Sequence, residues 1–351
     1  MTNGLKPREA VRKMAPYNPP SSGRAGKLRL DFNENTIGSS ARVVEFLKER
    51  LSRDGLAVYP EYEEARPKLA AFFGVRPEET LLTNGTDEAI QVLINTYVDD
   101  GDDVVLLRPS YAMYRFYAEV AGASIREVDY RAGDLGFPID ELIIQLRPET
   151  RAVLIANPNN PTGTGTRLGN IRKILNAAPG AAVLIDEAYF EFSGVTALEL
   201  INEFPNLFIS RTFSKVYGMA AMRLGCLFSR AANVASLRKA QSPYSVNSLA
   251  AMAALAAIED TRYVNDYVQE ILAAREHLYV GFEKRGIEYY KSDANFVLFR
   301  AGDRAVELRD YLRDRGVLVR DRSYELPGCV RVTVGTRDQV ARFFEVLEEI
   351  W

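Results

Sequence analysis

The chain has 351 residues, 47% hydrophobic and 26% charged, with a formal net charge of -3. That is an ordinary globular composition with material for a large core, and its mild acidity gives no bulk reason to expect nucleic acid or an anionic membrane as partner. The single histidine, His277, lies in a helical pattern remote from every motif below, which disfavours Ser-His-Asp and Cys-His hydrolases and leaves acid–base work to Lys, Asp, Glu or Tyr.

Two cysteines, Cys226 and Cys329, and the lack of a leader-like start fit a reducing cytoplasm. No zinc-ligand spacing is present, and no apolar run approaches the roughly 20 residues of a membrane span.

The first 30 or so residues contain "YNPPSSGRAGK" and read as an extended arm. From there to about residue 230, short apolar runs ("DVVLLRP", "AVLIANP", "AAVLIDEAY", "NLFISRTF", "RLGCLFS") alternate with helical stretches such as "TDEAIQVLINTYV" and "RLGNIRKILNAA". Unalternating strands separated by helices predict an α/β domain with a mainly parallel sheet covered on both faces. An alanine-rich region from "SLAAMAALAAIED" to "GFEKRG" predicts one long helical strut. After Gly286 the pattern becomes α+β, with strands over "NFVLFR", "VLVRD" and "CVRVTVGT". The expected organisation is an arm, 1–35, joining a smaller C-terminal domain, 271–351, with a large domain over 36–270.

Four motifs fall at carboxyl ends of predicted parallel strands, where α/β sheets gather ligands. In "LLTNGTDEAIQVL", Gly85 allows a tight turn and the first N–H groups of the helix, at Thr86 and Asp87, suit a phosphate; a simple helix cap reads equally well. "IANPNNPTGTG" is a Pro/Asn/Gly turn after a buried strand, with Asn160 in it. "VLIDEAYFEF" ends a strand on Asp186, a carboxylate that is costly there unless it meets a cation, and Tyr189 offers a phenol to the same place. "RTFSKVYGMAAMRLG" sets Lys215 among small and hydroxyl side chains, where a desolvated amine can condense with an aldehyde. Thr212, Ser214 and Arg223 would serve an adjacent phosphate. Lysine, carboxylate, phenol and phosphate cradle together match pyridoxal 5'-phosphate.

The strings "NGTDE", "PSYAMY", "NNPTG", "DEAYFEF", "SKVYGMAAMRLG" and "VRVTVGTR", in this order, make the chain resemble the fold-type I pyridoxal-phosphate aminotransferases over nearly its whole length, and most of all their histidinol-phosphate branch. The resemblance implies Lys215 as Schiff-base lysine and proton carrier, and Asp186 as partner of the pyridine nitrogen. It places Asn160 and Tyr189 at the ring's phenolic oxygen, Tyr111 on the ring face, and Gly85, Thr86, Asp87, Thr212, Ser214 and Arg223 around the phosphate. Tyr59 would reach the phosphate of a second subunit, implying a homodimer, and the bond before Pro161 is expected to be cis.

The implied substrates are a phosphorylated amino alcohol and a 2-oxo acid. Arg331 and Arg320, with Tyr17 from the arm, would hold the substrate phosphate; Arg322 competes with Arg320 for that role. The aromatic amino acid aminotransferases and a threonine-phosphate decarboxylase remain alternatives. A transcription-regulator role is disfavoured, because no winged-helix segment precedes the fold.

Overall fold

The computed structural model describes residues 4–16 and 23–351. The apolar runs assemble into a seven-stranded sheet in the order Thr80–Thr83, Gly225–Phe228, Leu207–Thr212, Ala182–Asp186, Thr150–Ala156, Asp103–Arg108, Ser124–Asp129. Gly225–Phe228 is the one strand antiparallel to its neighbours. The unalternating runs are explained by burial on both faces. Val183 and Ile185 enter one core, while Ala182 and Leu184 enter the other. Ala89, Ile90 and Leu93 of helix Gly85–Tyr97 cover the second face. Ile171, Ile174 and Leu175 of helix Leu168–Ala177 cover the first.

A second, antiparallel sheet runs in the order Arg320–Asp321, Cys329–Thr333, Phe296–Arg300, Tyr289–Tyr290. The predicted strand "VLVRD" is divided: Val317–Leu318 pairs in parallel with Leu28–Arg29 of the arm, and only Arg320–Asp321 joins this sheet. The arm continues alongside, Thr333 donating its N–H to the Leu30 carbonyl at 2.9 Å. Part of the arm is not extended. Glu9–Lys13 is a short helix, supported by Glu9 pairing with Arg12 and Lys13 one turn on.

The predicted strut is two helices, Ser248–Glu259 and Thr261–Lys284. Asp260 breaks it: its side chain accepts the Tyr263 N–H at 3.2 Å and the Ser40 hydroxyl, so it starts the second helix instead of continuing the first. The boundary expected at residue 270 falls inside that second helix. The Asn160–Pro161 bond is cis, as are Asn157–Pro158 and Arg108–Pro109.

Asp260→Ala removes the helix cap and the Ser40 bond together. Urea denaturation should show a loss of about 1–2 kcal/mol; an unchanged midpoint would mean the cap is not what holds the break.

Candidate active site

A cavity of about 470 Å³ opens at the carboxyl ends of the parallel strands. Asp186 ends strand Ala182–Asp186 and is 3% exposed. Its two oxygens accept hydrogen bonds from the Ser210 and Tyr114 hydroxyls, each at 2.8 Å. Burial pushes its carboxyl up to about 6, opposed by those two bonds and the Ala188 N–H and reinforced by Asp87. A carboxylate so placed is a strong partner for a cation entering the cavity, which would restore its ionised form.

Lys215 lines the same cavity, and its Nζ donates to the Phe32 carbonyl at 3.0 Å. Among the described residues no carboxylate pairs with it. Nζ lies 5.6 Å from the centre of the Tyr189 ring. The Tyr189 hydroxyl accepts from Asn33 Nδ2 at 3.0 Å and keeps its own proton to give. Asn160 Oδ1 accepts from Arg331, which leaves the Asn160 amide N–H groups as donors.

The helix Gly85–Tyr97 points its amino end, with Thr86 and Asp87, at the cavity. Gly85 has φ +74°, and a Cβ there would lie 2.4 Å from Arg223 Nη2, so only glycine lets the guanidinium rest against this helix end. Arg223, itself at φ 55°, reaches the Ser214 hydroxyl at 3.5 Å and Asp87 Oδ2 at 3.2 Å. Asp87 Oδ1 accepts the Tyr111 hydroxyl at 2.7 Å. Asp87 thus ties the Tyr111 ring to the arginine, which accounts for an acidic residue beside an anion site. Thr212 Oγ1 accepts the Ser214 N–H at 3.1 Å, and both residues line the cavity.

Arg331, Arg320 and Arg322 all border the cavity. Arg331 is 4% exposed, and Nη2 donates to the Asp31 carbonyl at 2.6 Å. Burial, with Arg322 and Arg320 nearby, lowers its guanidinium to about 10. Arg322 pairs with Glu325. Arg320 forms no ion pair among the described residues; its guanidinium lies 5.6 Å over the Phe32 ring. Among the described residues the buried Nε atoms of Arg331 and Arg322 have no hydrogen-bond partner. An anion would satisfy this group of cations.

The cavity therefore gathers Thr86, Asp87, Tyr111, Asn160, Asp186, Tyr189, Thr212, Ser214, Lys215, Arg223, Arg320 and Arg331. Tyr59 is not among them: it is 73% exposed and stacks on Tyr244 with ring centres 4.5 Å apart. Tyr17 lies outside the described residues. Sequence reasoning missed Tyr114, Ser210, Asn33 and Phe32. Tyr114 stood one helical turn from Tyr111 in "PSYAMY", and Ser210 is the first polar residue after the apolar run of a strand in which it pairs directly with Asp186. Asn33 and Phe32 carried no such signal.

The set fits pyridoxal phosphate on grounds internal to the structure. There is a buried acid that no cation among the described residues pairs with, an amine whose one hydrogen bond among them is to a carbonyl, and a glycine-cleared helix end beside an arginine. In cofactor-free protein, Asp186 lowers stability as pH rises from its ordinary 3.8 through about 6, because its raised value makes the ionised form the costly one. Relative to Asp186→Asn, wild type should lose stability across that window in thermal melts. A constant difference between the two would refute the burial argument.

Residues 25–347 match the family described as aminotransferase class I and II. The chain is 38% identical to a histidinol-phosphate aminotransferase of Symbiobacterium thermophilum, over 97% of both chains. It is 34% identical to one of Geobacillus thermodenitrificans, over 99% of this chain and 98% of the other. A crystal structure of histidinol-phosphate aminotransferase from Sinorhizobium meliloti, in complex with pyridoxal-5'-phosphate, superposes with a TM-score of 0.89 at 22% identity, covering the whole of both chains. The mainly parallel sheet with its small antiparallel companion is thus an aminotransferase fold. With the family match spanning both sheets, the chain belongs to the class I and II aminotransferases.

Proposed function

We propose that the chain is a pyridoxal-phosphate-dependent aminotransferase that converts L-histidinol phosphate and 2-oxoglutarate to imidazole-acetol phosphate and L-glutamate, in histidine biosynthesis. The observation that carries the substrate reading is the arginine group. Histidinol phosphate has a phosphate where an amino acid has a carboxylate, and a doubly charged anion suits several guanidinium groups facing one cavity. The relatives named above carry the same activity in their names.

When bound, pyridoxal phosphate supplies an aldehyde that condenses with amines and a ring that accepts electrons released at the substrate α-carbon. Lys215 would hold the cofactor through its Nζ and, once released by the substrate amine, take the α-proton on that nitrogen. Asp186, fixed by Ser210 and Tyr114, would keep a proton on the ring nitrogen. Tyr189 and Asn160 would donate to the phenolic oxygen. Tyr111, held by Asp87, would cover the ring, while Thr86, Thr212, Ser214 and Arg223 bind its phosphate. Arg331, with Arg320 or Arg322, would clamp the substrate phosphate.

Tyr59, exposed on this chain, is assigned to the site of a second subunit in a homodimer. A cytoplasmic location is supported by two buried cysteines that are both free thiols. Among the described residues no helix is long and apolar enough to cross a membrane.

Cofactor-loaded protein should show a visible absorption band that Lys215→Ala abolishes, with kcat falling at least about a hundredfold; an intact band in the variant would sink the lysine assignment. With 2-oxoglutarate as acceptor, kcat/KM for histidinol phosphate should exceed that for phenylalanine. The reverse preference would make the chain an aromatic amino acid aminotransferase, and carbon dioxide release would make it a lyase.

A further inference from the structure

The Tyr189 hydroxyl has one hydrogen-bond partner among the described residues, Asn33 Nδ2, and in that bond it is the acceptor. Its own proton is left for whatever enters the cavity that both residues line. Of the other titratable groups in this cavity wall, Lys215, Asp186, Tyr111, Tyr114 and Arg331 among them, none bonds that hydroxyl. What fixes the division of donor and acceptor is the setting of Asn33, which is 1% exposed.

Asn33 lies on the arm just beyond Leu28–Arg29. Apart from Nδ2, its polar groups are all taken from the side of the smaller sheet. Its N–H donates to the Thr333 hydroxyl at 3.0 Å, its Oδ1 accepts that hydroxyl's proton at 3.2 Å, and its carbonyl accepts from Asn295 Nδ2 at 3.2 Å. Thr333 and Asn295 are brought together because Thr333 pairs across the strands with Phe296, the neighbour of Asn295. Since Thr333 Oγ1 already receives the main-chain N–H, its own proton goes to Oδ1, and the amide is held with its NH2 toward Tyr189. The backbone suits this residue: φ is 57°, a left-handed conformation that asparagine tolerates and most side chains do not. The Tyr189 ring stands edge-on to Phe296, with 5.1 Å between centres. Ring and hydroxyl are both fixed from the smaller sheet.

We propose that Asn33 is a positioning residue for the reaction: by donating to the Tyr189 oxygen it keeps the Tyr189 proton directed at the cofactor's phenolic oxygen and makes Tyr189 a stronger donor. Hydrogen bonds in a chain polarise one another, so a donor to the tyrosine oxygen strengthens the bond that its O–H gives. This role rests on the pyridoxal-phosphate reading above. A donor to the phenolic oxygen stabilises the form in which that oxygen is anionic and the lysine-linked nitrogen has lost its proton, which lowers the pH at which the visible band changes. An Asn33 that only tied the arm to the sheet would leave that pH where it is.

The test is a spectrophotometric pH titration of cofactor-loaded protein. Asn33→Gly keeps the left-handed backbone and both main-chain bonds but removes the donor, and the midpoint of the band should rise by about half a pH unit. Thr333→Val takes away the hydroxyl that orients the amide and should raise the midpoint by less. In a Tyr189→Phe background neither substitution should move it, because the proton they act on is gone. Melting curves follow folding separately; should Asn33→Gly not fold, Thr333→Val with and without the Tyr189 hydroxyl decides alone. A midpoint that either substitution leaves in place, or that moves equally in the Tyr189→Phe background, would overturn the proposal. Wild type with no visible band at all would overturn the cofactor reading as well, so the two failures are distinct.

Discussion

A carboxylate 3% exposed at the end of an apolar strand is the interaction around which the active site is organised. Two hydroxyl bonds at 2.8 Å stabilise the Asp186 anion without neutralising it, and burial still holds its carboxyl up to about 6. No cation among the described residues pairs with it. The strand pairing that sets Ser210 beside Asp186 and the helix Ala112–Ala121 that brings Tyr114 both converge on this one acid. Moving either would leave a buried polar group unpaired, at a cost of about 1–3 kcal/mol each.

Beside it the cavity gathers four guanidinium groups, those of Arg223, Arg320, Arg322 and Arg331. Arg223 is held by Asp87 against a helix end that only Gly85 makes accessible. Arg331 is buried beside two further arginines, which depresses its guanidinium, and its Nε has no partner among the described residues. Such an arrangement is unfavourable in the free protein and is relieved when anions arrive. On the proposed reading, the anion at Arg223 is the cofactor phosphate and the one at Arg331 the substrate phosphate.

Much of this was legible before folding was considered. The strands ending in Asp186 and Thr212 were visible because burial on both faces removes polar alternation, the turn at Gly85 because few residues adopt a positive φ, and the turn at Asn160 by its run of Pro, Asn and Gly. What escaped was of two kinds. Asp260 sat inside an otherwise helical pattern, and only its bonds to Tyr263 and Ser40, the latter 220 residues away, turn it into a cap that divides the strut. Likewise Arg320 and Arg322 are equivalent in spacing, and the difference between them is the Glu325 that Arg322 pairs with.

The order of motifs along the chain was enough to establish the family and the cofactor chemistry, because each motif is a local backbone requirement or a residue type that the chemistry demands. The long-range partners were decided by packing alone. Asn33 meets Tyr189 across 156 residues, and the Phe32 carbonyl meets Lys215 across 183. No local preference encodes such a meeting; it exists because the arm is threaded along the smaller sheet, whose apolar residues share a core with the first face of the larger one.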